Sequence, residues 1–292
     1  MNFELSEEQR MIQQSVERFV EDNYDLNSRV ALSSKSPGFS TENWHSMAEL
    51  GWLGLPFKEE DGGFGGNQID VLVVMEQFGR GLVLEPYLAS IVMGGGALKR
   101  GGTNALKSEI LPQVIEGTLQ LAFAYAEEQS RFDLDDVMTS ARKEGENFVL
   151  NGQKSMVQNA ETADKIVVSA RTSSGQVSPQ GITLFLIDAD AEGLSRDNFP
   201  TVDGLRASEI TLENVSVGPD RILGEVDQGF SILQSVANDA MLALSAEAVG
   251  AMEVLYKDTV DYTQQREQFD HPLSEFQVLQ HRMVDMFMEY EQ

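Results

Sequence analysis

Arg266 stands where a phosphate could be held. It sits at the end of a long helical pattern, in residues 266–277, REQFDHPLSEFQ. Pro272 breaks that pattern, and Ser274 with Gln277 three residues on predicts a capping box that opens a new helix. A helix N-terminus offers free N–H groups and a positive dipole end, and a guanidinium just upstream adds charge, a combination suited to phosphate. A plain helix–turn–helix with a solvated arginine has the same spacing, so the segment by itself leaves both readings open.

The chain that must position this segment has 292 residues, enough for two or three domains. No apolar run reaches membrane-spanning length. The opening MNFELSEEQR is acidic and amphipathic, so no signal peptide is read and a cytoplasmic location is expected. There is no cysteine, which excludes disulfides, thiolate metal sites and cysteine nucleophiles, and His45, His271 and His281 are too scattered to suggest zinc. Acidic residues number 47 against 21 basic, a net charge of −26 that disfavours nucleic acid and anionic membrane as partners. It would also repel a phosphorylated ligand, so local cations and backbone amides must do the binding.

Residues 1–117 read as a helical domain. Ser6 with Gln9 predicts a capping box, followed by an apolar face of Ile12, Val16, Phe19 and Val20. A helix from Thr41 carries Trp44, Met47 and Leu50, and further patterns cover 69–78, 86–98 and 105–115. GLPFKEEDGGFGG reads as a loop; its glycines do not join a strand to a helix, so no dinucleotide fingerprint is assigned. Residues 118–222 read as a β domain. Leu119, Leu121, Phe123 and Tyr125 alternate as in a half-buried strand, and β-rich runs recur at 148–150, 166–170, 182–187 and 210–212. Turns are expected at 144–146, at Asn151-Gly152, at 173–175 and at 217–219. The spacing predicts an antiparallel barrel or sandwich. Residues 223–292 return to helix, with small residues at Ala243, Ser245, Ala246, Ala248 and Gly250 that let a neighbouring helix approach. The last helical pattern runs to Gln292 without a stop signal and reads as a truncation. The fold class expected is α+β: N-terminal helical domain, middle antiparallel β-barrel or sandwich, C-terminal helical bundle.

That order resembles the acyl-CoA dehydrogenase family. REQFDHPLSEFQ is similar to its R-x-x-F-G-x-x-x-x-x-x-Q signature, with Asp270 where glycine is usual. Further matches run through FELSEEQRMIQQSVERFV, ELGWLGLPFKEEDGGFGG, FVLNGQKSMVQNAETADKIVVSAR and LENVSVGPDRILGEVDQGF, so the resemblance covers nearly the whole chain. It implies FAD as cofactor and α,β-dehydrogenation of an acyl-CoA thioester to the trans-2-enoyl-CoA, with electrons passed to an electron-transfer flavoprotein. In the family a glutamate takes the α-proton while hydride leaves for the flavin. It also implies oligomers, homomeric or with a related subunit, because the signature serves a neighbouring subunit's flavin.

Carried over by motif, Arg266, Gln268, Phe269 and Gln277 hold the FAD diphosphate and nearby parts. Phe123, Tyr125 and Ala126 fall on the flavin-contacting strand, and Phe132 on the acyl-CoA-contacting loop. Glu127 and Asp133 match the usual T-E-P-x-A-G-S-D, but Ala126, Glu128 and Phe132 replace threonine, proline and serine. Met156, Val157 and Gln158 stand for W-[IS]-[TS], which packs on the isoalloxazine. Their apolar members equally suit a barrel core, so lining is favoured at Tyr125 and Gln158 over Met156.

No catalytic base is assigned. Most members carry it in a late-helix loop, expected beyond Gln292. A minority carry it before an arginine, at positions filled here by Ala240 and Met241. Glu247 lies on nearly the same helical stripe but ~10 Å along the axis, and a packing or ion-pair role is preferred for it. Two readings follow: a competent dehydrogenase, or a non-catalytic partner subunit of a heteromeric one. A non-enzymatic relic is the third.

Overall fold

The computed structural model describes residues 4–292. Helices come first: α1 (Glu7–Asn23), α2 (Leu26–Ser33), α3 (Thr41–Glu49) and α4 (Gln68–Gly81). A π-helical segment, Tyr87–Gly95, leads into α5 (Gly96–Gly101) and then α6 (Asn104–Ile115). The strands are β1 (Leu121–Ala124), β2 (Ser140–Glu144), β3 (Asn147–Gln158), β4 (Lys165–Arg171), β5 (Ile182–Asp188), β6 (Leu194–Pro200), β7 (Arg206–Val217) and β8 (Ile222–Leu223). The chain closes with α7 (Phe230–Gln265), the two-residue strands β9 (Glu267–Gln268) and β10 (His271–Pro272), and α8 (Gln277–Glu291). None of these helices is long and apolar enough to cross a membrane.

Two compact units result. The first gathers the chain up to Leu26, Ile69–Val83 and Leu242–Gln292. Here α1 begins with the expected capping box: Gln9 N–H donates to Ser6 Oγ (3.1 Å) and Ser6 N–H to Gln9 Oε1 (3.0 Å). Val16 and Val20 face inward. The small residues do admit a neighbour, which is α4. A Cβ built at Gly250 would lie 1.8 Å from the Glu76 carbonyl oxygen, and one at Gly79 would lie 1.9 Å from that of Glu247. Arg80 ties the unit together, reaching Glu17 at 3.3 Å and Glu253 at 3.1 Å.

The second unit comprises Asn27–Gln68 and Leu84–Met241. Its sheet runs β6-β7-β3-β2-β4-β5-β8, and β1 shares an edge of β4 with β2. Most pairings are antiparallel, but β1–β4 and β2–β4 are parallel. The expected antiparallel barrel is therefore a mixed sheet with end strands, because the chain leaves β1 through a long loop and returns beside β4 in the same direction. Its core gathers Phe148, Leu150, Ile166, Phe185, Ile210, Leu212 and their neighbours. Elsewhere in the unit, buried polar groups find fixed partners. Trp44 Nε1 donates to Gly117 O (3.0 Å), Tyr87 Oη to Trp52 O (3.1 Å), and Leu121 N–H to Ser90 Oγ (3.0 Å).

Three sequence readings change. Asn151-Gly152 is not a turn but lies within β3, at a register shift between Leu150 and Gly152. Gly152 adopts φ +154° with Thr139 so close that a Cβ would meet its Cα at 2.6 Å, so close packing rather than chain reversal requires the glycine. β1 is buried on both faces instead of alternating, because the sheet edge is covered on each side. And α8 starts two residues later than predicted. Leu273–Glu275 forms a 3₁₀ turn, Phe276 occupies the N-cap with no side-chain bond, and the Ser274–Gln277 capping box does not form. Pro272 commits the following residues to that tight turn, which carries Ser274 out of the cap position.

Candidate functional site

The predicted flavin residues fall into two groups, one in each unit. In the sheet unit, β1 ends at Ala124 and hands the chain to Tyr125, Ala126 and Glu127. Phe123 itself is buried, its ring 5.7 Å from that of Tyr125. Tyr125 is half-buried, and burial raises its phenol above the ordinary range. Phe132, the predicted acyl-CoA contact, is 97% exposed on the loop beyond.

Opposite runs β3, which bulges between Lys154 and Val157 while β7 stays regular. The bulge puts Met156 in the left-handed region at φ +54° and leaves its side chain 54% exposed. Val157 instead turns into the sheet core, where only its backbone is left to meet a ligand. Gln158 is half-buried. The two strand ends are joined directly, since Ser155 N–H donates to Ala126 O (2.9 Å). Tyr125, Ala126, Met156 and Gln158 thus belong to one edge.

A buried charge pair fixes this edge. Lys154, fully buried, donates to Glu127 Oε1 (2.7 Å), Ser169 Oγ (3.0 Å) and Tyr125 O (3.3 Å). Glu127 also accepts from the N–H groups of Met138 (2.8 Å) and Thr139 (3.1 Å) and from Gln129 Nε2 (2.9 Å). Burial alone would push the Glu127 carboxyl up, but Lys154 and these donors hold it below the usual range. For Lys154 burial prevails over the pull of Glu127, bringing the ammonium down to about 8. The pair was not assigned from sequence. Glu127 was visible as a motif residue, but an Asn151-Gly152 turn would have left Lys154 at the surface.

The second group lies in the helical unit. Arg266 N–H caps α7 on Tyr262 O (2.9 Å), and the chain then folds back as a hairpin pairing Gln268 with His271. Its two loop residues, Phe269 and Asp270, have φ +59° and +63°, as a type I′ turn demands. That explains a glycine as the usual residue at position 270; aspartate is among the few others that tolerate the conformation. Phe269 is 86% exposed and meets Phe276 edge-on at 6.3 Å. Arg266, Gln268 and Gln277 are exposed, and among the described residues no carboxylate pairs with the Arg266 guanidinium. Gln277 is the first residue of α8, whose N-terminal amides have no side-chain cap.

Taken separately, each donor set suits a part of FAD. An exposed guanidinium whose backbone O accepts from Leu273 N–H (2.8 Å), just ahead of the uncapped amides of α8, suits a diphosphate, and the edge of Tyr125, Met156 and Gln158 suits an aromatic ring. No carboxylate stands at the early-helix positions 240 and 241. Ala240 is buried in the sheet unit, and Met241 is exposed. Glu247 is half-buried on α7 at the α4 crossing, where its backbone meets Gly79.

Comparison with known proteins extends this picture. Residues 6–118, 122–215 and 227–292 match the N-terminal, middle and C-terminal domains of acyl-CoA dehydrogenase. The probable acyl-CoA dehydrogenase YngJ of Bacillus subtilis is 30% identical over 99% of this chain and 77% of its own length. CarC, a subunit of the caffeyl-CoA reductase–Etf complex of Acetobacterium woodii, is 28% identical over 98% of this chain and 76% of its own. Among solved structures, the FAD complex of PigA superposes with a TM-score of 0.91 at 26% identity, covering all of this chain and 77% of that one.

Proposed function

Since this chain belongs to the acyl-CoA dehydrogenase family, we propose that it is an FAD-binding oxidoreductase subunit acting in the α,β-dehydrogenation of an acyl-CoA thioester, with an electron-transfer flavoprotein as electron acceptor. The observation that carries the reading is the conjunction of two donor sets on family positions. One is the edge formed by Tyr125, Ala126, Met156 and Gln158; the other is the free Arg266 beside the uncapped start of α8. PigA supports the cofactor and CarC the electron-transfer partner, each through what it is named for.

FAD, when bound, supplies a hydride acceptor that no side chain provides. The protein's own residues divide the remaining work. Arg266 neutralises diphosphate charge, assisted by Gln277 at the helix start and by Gln268. Tyr125 and Gln158 present half-buried polar tips to the ring, and Met156 an apolar one. Ala126 gives no hydroxyl where the family has threonine, which leaves the flavin edge with one donor fewer. Phe132 meets the acyl-CoA from its exposed loop.

A second reading is favoured by Ala240. With no carboxylate there, the helix lacks the one early position that the family uses for its base, and these 292 residues act as a partner subunit while another chain supplies that group. In either case the protein assembles as a dimer or dimer of dimers, alone or with a related chain; a strict monomer holding stoichiometric FAD would refute this.

The test is a purified protein scanned for visible flavin absorbance, then incubated with FAD, an electron-transfer flavoprotein and a panel of acyl-CoA thioesters. Bound flavin with turnover to the enoyl product supports the first reading. Bound flavin without turnover, restored by a related subunit, supports the second. Absence of flavin binding rejects both. A missing base forfeits roughly 10²–10⁴-fold in rate, so the second reading expects little turnover until the related subunit is added. Brisk turnover would make Glu247 the first suspect as base.

A further inference from the structure

The bulge that exposes Met156 needs an explanation beyond its own sequence. A methionine in the left-handed region persists only where its surroundings fix it. One strand is a residue longer than its partner here: β3 advances from Lys154 to Val157 while β7 advances from Ile210 to Ser208. The extra residue loses its place in the ladder, and its N–H needs another acceptor. Glu209, on β7 directly across, supplies one. Its Oε1 accepts from Met156 N–H (3.2 Å) and from Ser155 Oγ (2.8 Å). On the other side Ser155 N–H is taken by Ala126 O. Glu209 also lines a cleft of 270 Å³ with Glu127, Met138, Gln153 and Ser155.

We propose that Glu209 is a positioning residue for the flavin-facing edge, its carboxylate replacing the ladder acceptor that the bulge removes and so holding Met156 outward. The part of this that concerns flavin rests on the proposed FAD site; the part that concerns the bulge does not. Glu209 touches neither substrate nor cofactor on this account. It acts through Met156, and it acts as an acceptor rather than as a charge.

Two variants of the full chain separate these roles. In Glu209→Ala the Met156 amide is left without its acceptor. Its hydrogen exchange, followed residue by residue, is expected to quicken about tenfold, the worth of one hydrogen bond. FAD titration should weaken by a similar factor, with a shift in the visible band of any flavin that binds. Glu209→Gln keeps an oxygen in the same place and should restore both the exchange rate and the flavin affinity. Exchange at Met156 unchanged in Glu209→Ala would overturn the proposal, as would Glu209→Gln behaving like Glu209→Ala, which would make the effect one of charge. If the unaltered protein takes up no FAD, the cofactor reading fails, and the exchange data still decide whether Glu209 holds the bulge. Normal FAD affinity and spectrum in Glu209→Ala, with fast exchange at Met156, would reduce the residue to a structural prop and overturn its role at the flavin edge.

Discussion

The edge built from β1 and β3 and the hairpin after α7 both carry proposed FAD contacts, yet they are made on opposite principles. The edge is held from behind by a desolvated ion pair. Lys154 and Glu127 are almost fully excluded from solvent, and between them they take up the Tyr125 carbonyl, a serine hydroxyl and two backbone amides. The hairpin has no such backing. Its shape comes from two consecutive left-handed residues and a few backbone bonds, and its functional side chains stand in solvent. In the first region, then, geometry is over-determined and a disturbance should register as lost stability. In the second, a substitution should register in ligand affinity with little change in folding.

The sharpest way to break that contrast is Lys154→Met. Removing one partner strands a buried carboxylate, and a loss of about 3–5 kcal/mol is expected in urea unfolding. The double variant Lys154→Met with Glu127→Gln removes both charges and keeps one acceptor oxygen, enough for the Met138 or the Thr139 N–H but not for both, and it should recover part of the loss. Failure of the double variant to recover would mean that the pair does more than neutralise itself.

Next in size is Arg266→Ala. FAD affinity should fall tenfold or more, because a charge-assisted phosphate bond is lost, while the unfolding midpoint stays put. An unchanged flavin content in the purified variant would remove Arg266 from the site.

Glu85 offers a pH test within the sheet unit. Burial raises its carboxyl from 4.5 to about 7, although the Ser40 N–H lies 3.2 Å from it. Between these two values the unfolded chain has released its proton while the folded protein keeps it. Glu85 therefore favours the folded state below pH 4.5, and that contribution is lost as the pH rises through about 7. Glu85→Gln should flatten the decline in stability between pH 5 and pH 8 by on the order of 2 kcal/mol. Equal slopes for the two proteins would show that the carboxyl ionises freely.

The smallest effect belongs to Asp270→Gly. Relief of the left-handed backbone is offset by the greater freedom of glycine in the unfolded chain, so stability should change by less than ~1 kcal/mol. FAD affinity should stay within about twofold, since one hydrogen-bonded turn is exchanged for another. A large drop in either would show that the aspartate side chain, and not only its backbone, shapes the hairpin.

Local chemistry carried much of this protein in plain sight. The Ser6–Gln9 cap, the helix from Thr41 and the strands around 148–150, 166–170, 182–187 and 210–212 follow from capping residues and apolar periodicity, which act over a few residues. Small residues at 243–250 announced a close helix, and Gly250 received α4. The polar strands β2 and β6 left no such trace; they are strands because β3, β4 and β7 supply their hydrogen bonds. Motif spacing marked out Tyr125, Met156 and Arg266. It could not say that Met156 is turned outward by a bulge while Val157 goes to the core, since a one-residue register shift is settled between strands some fifty residues apart. Nor could it reveal Lys154 as buried. A lysine after Asn-Gly is solvent-exposed on any local argument, and only the sheet, by carrying Asn151-Gly152 through as strand and bringing Glu127 within 2.7 Å, makes desolvation of that charge tolerable.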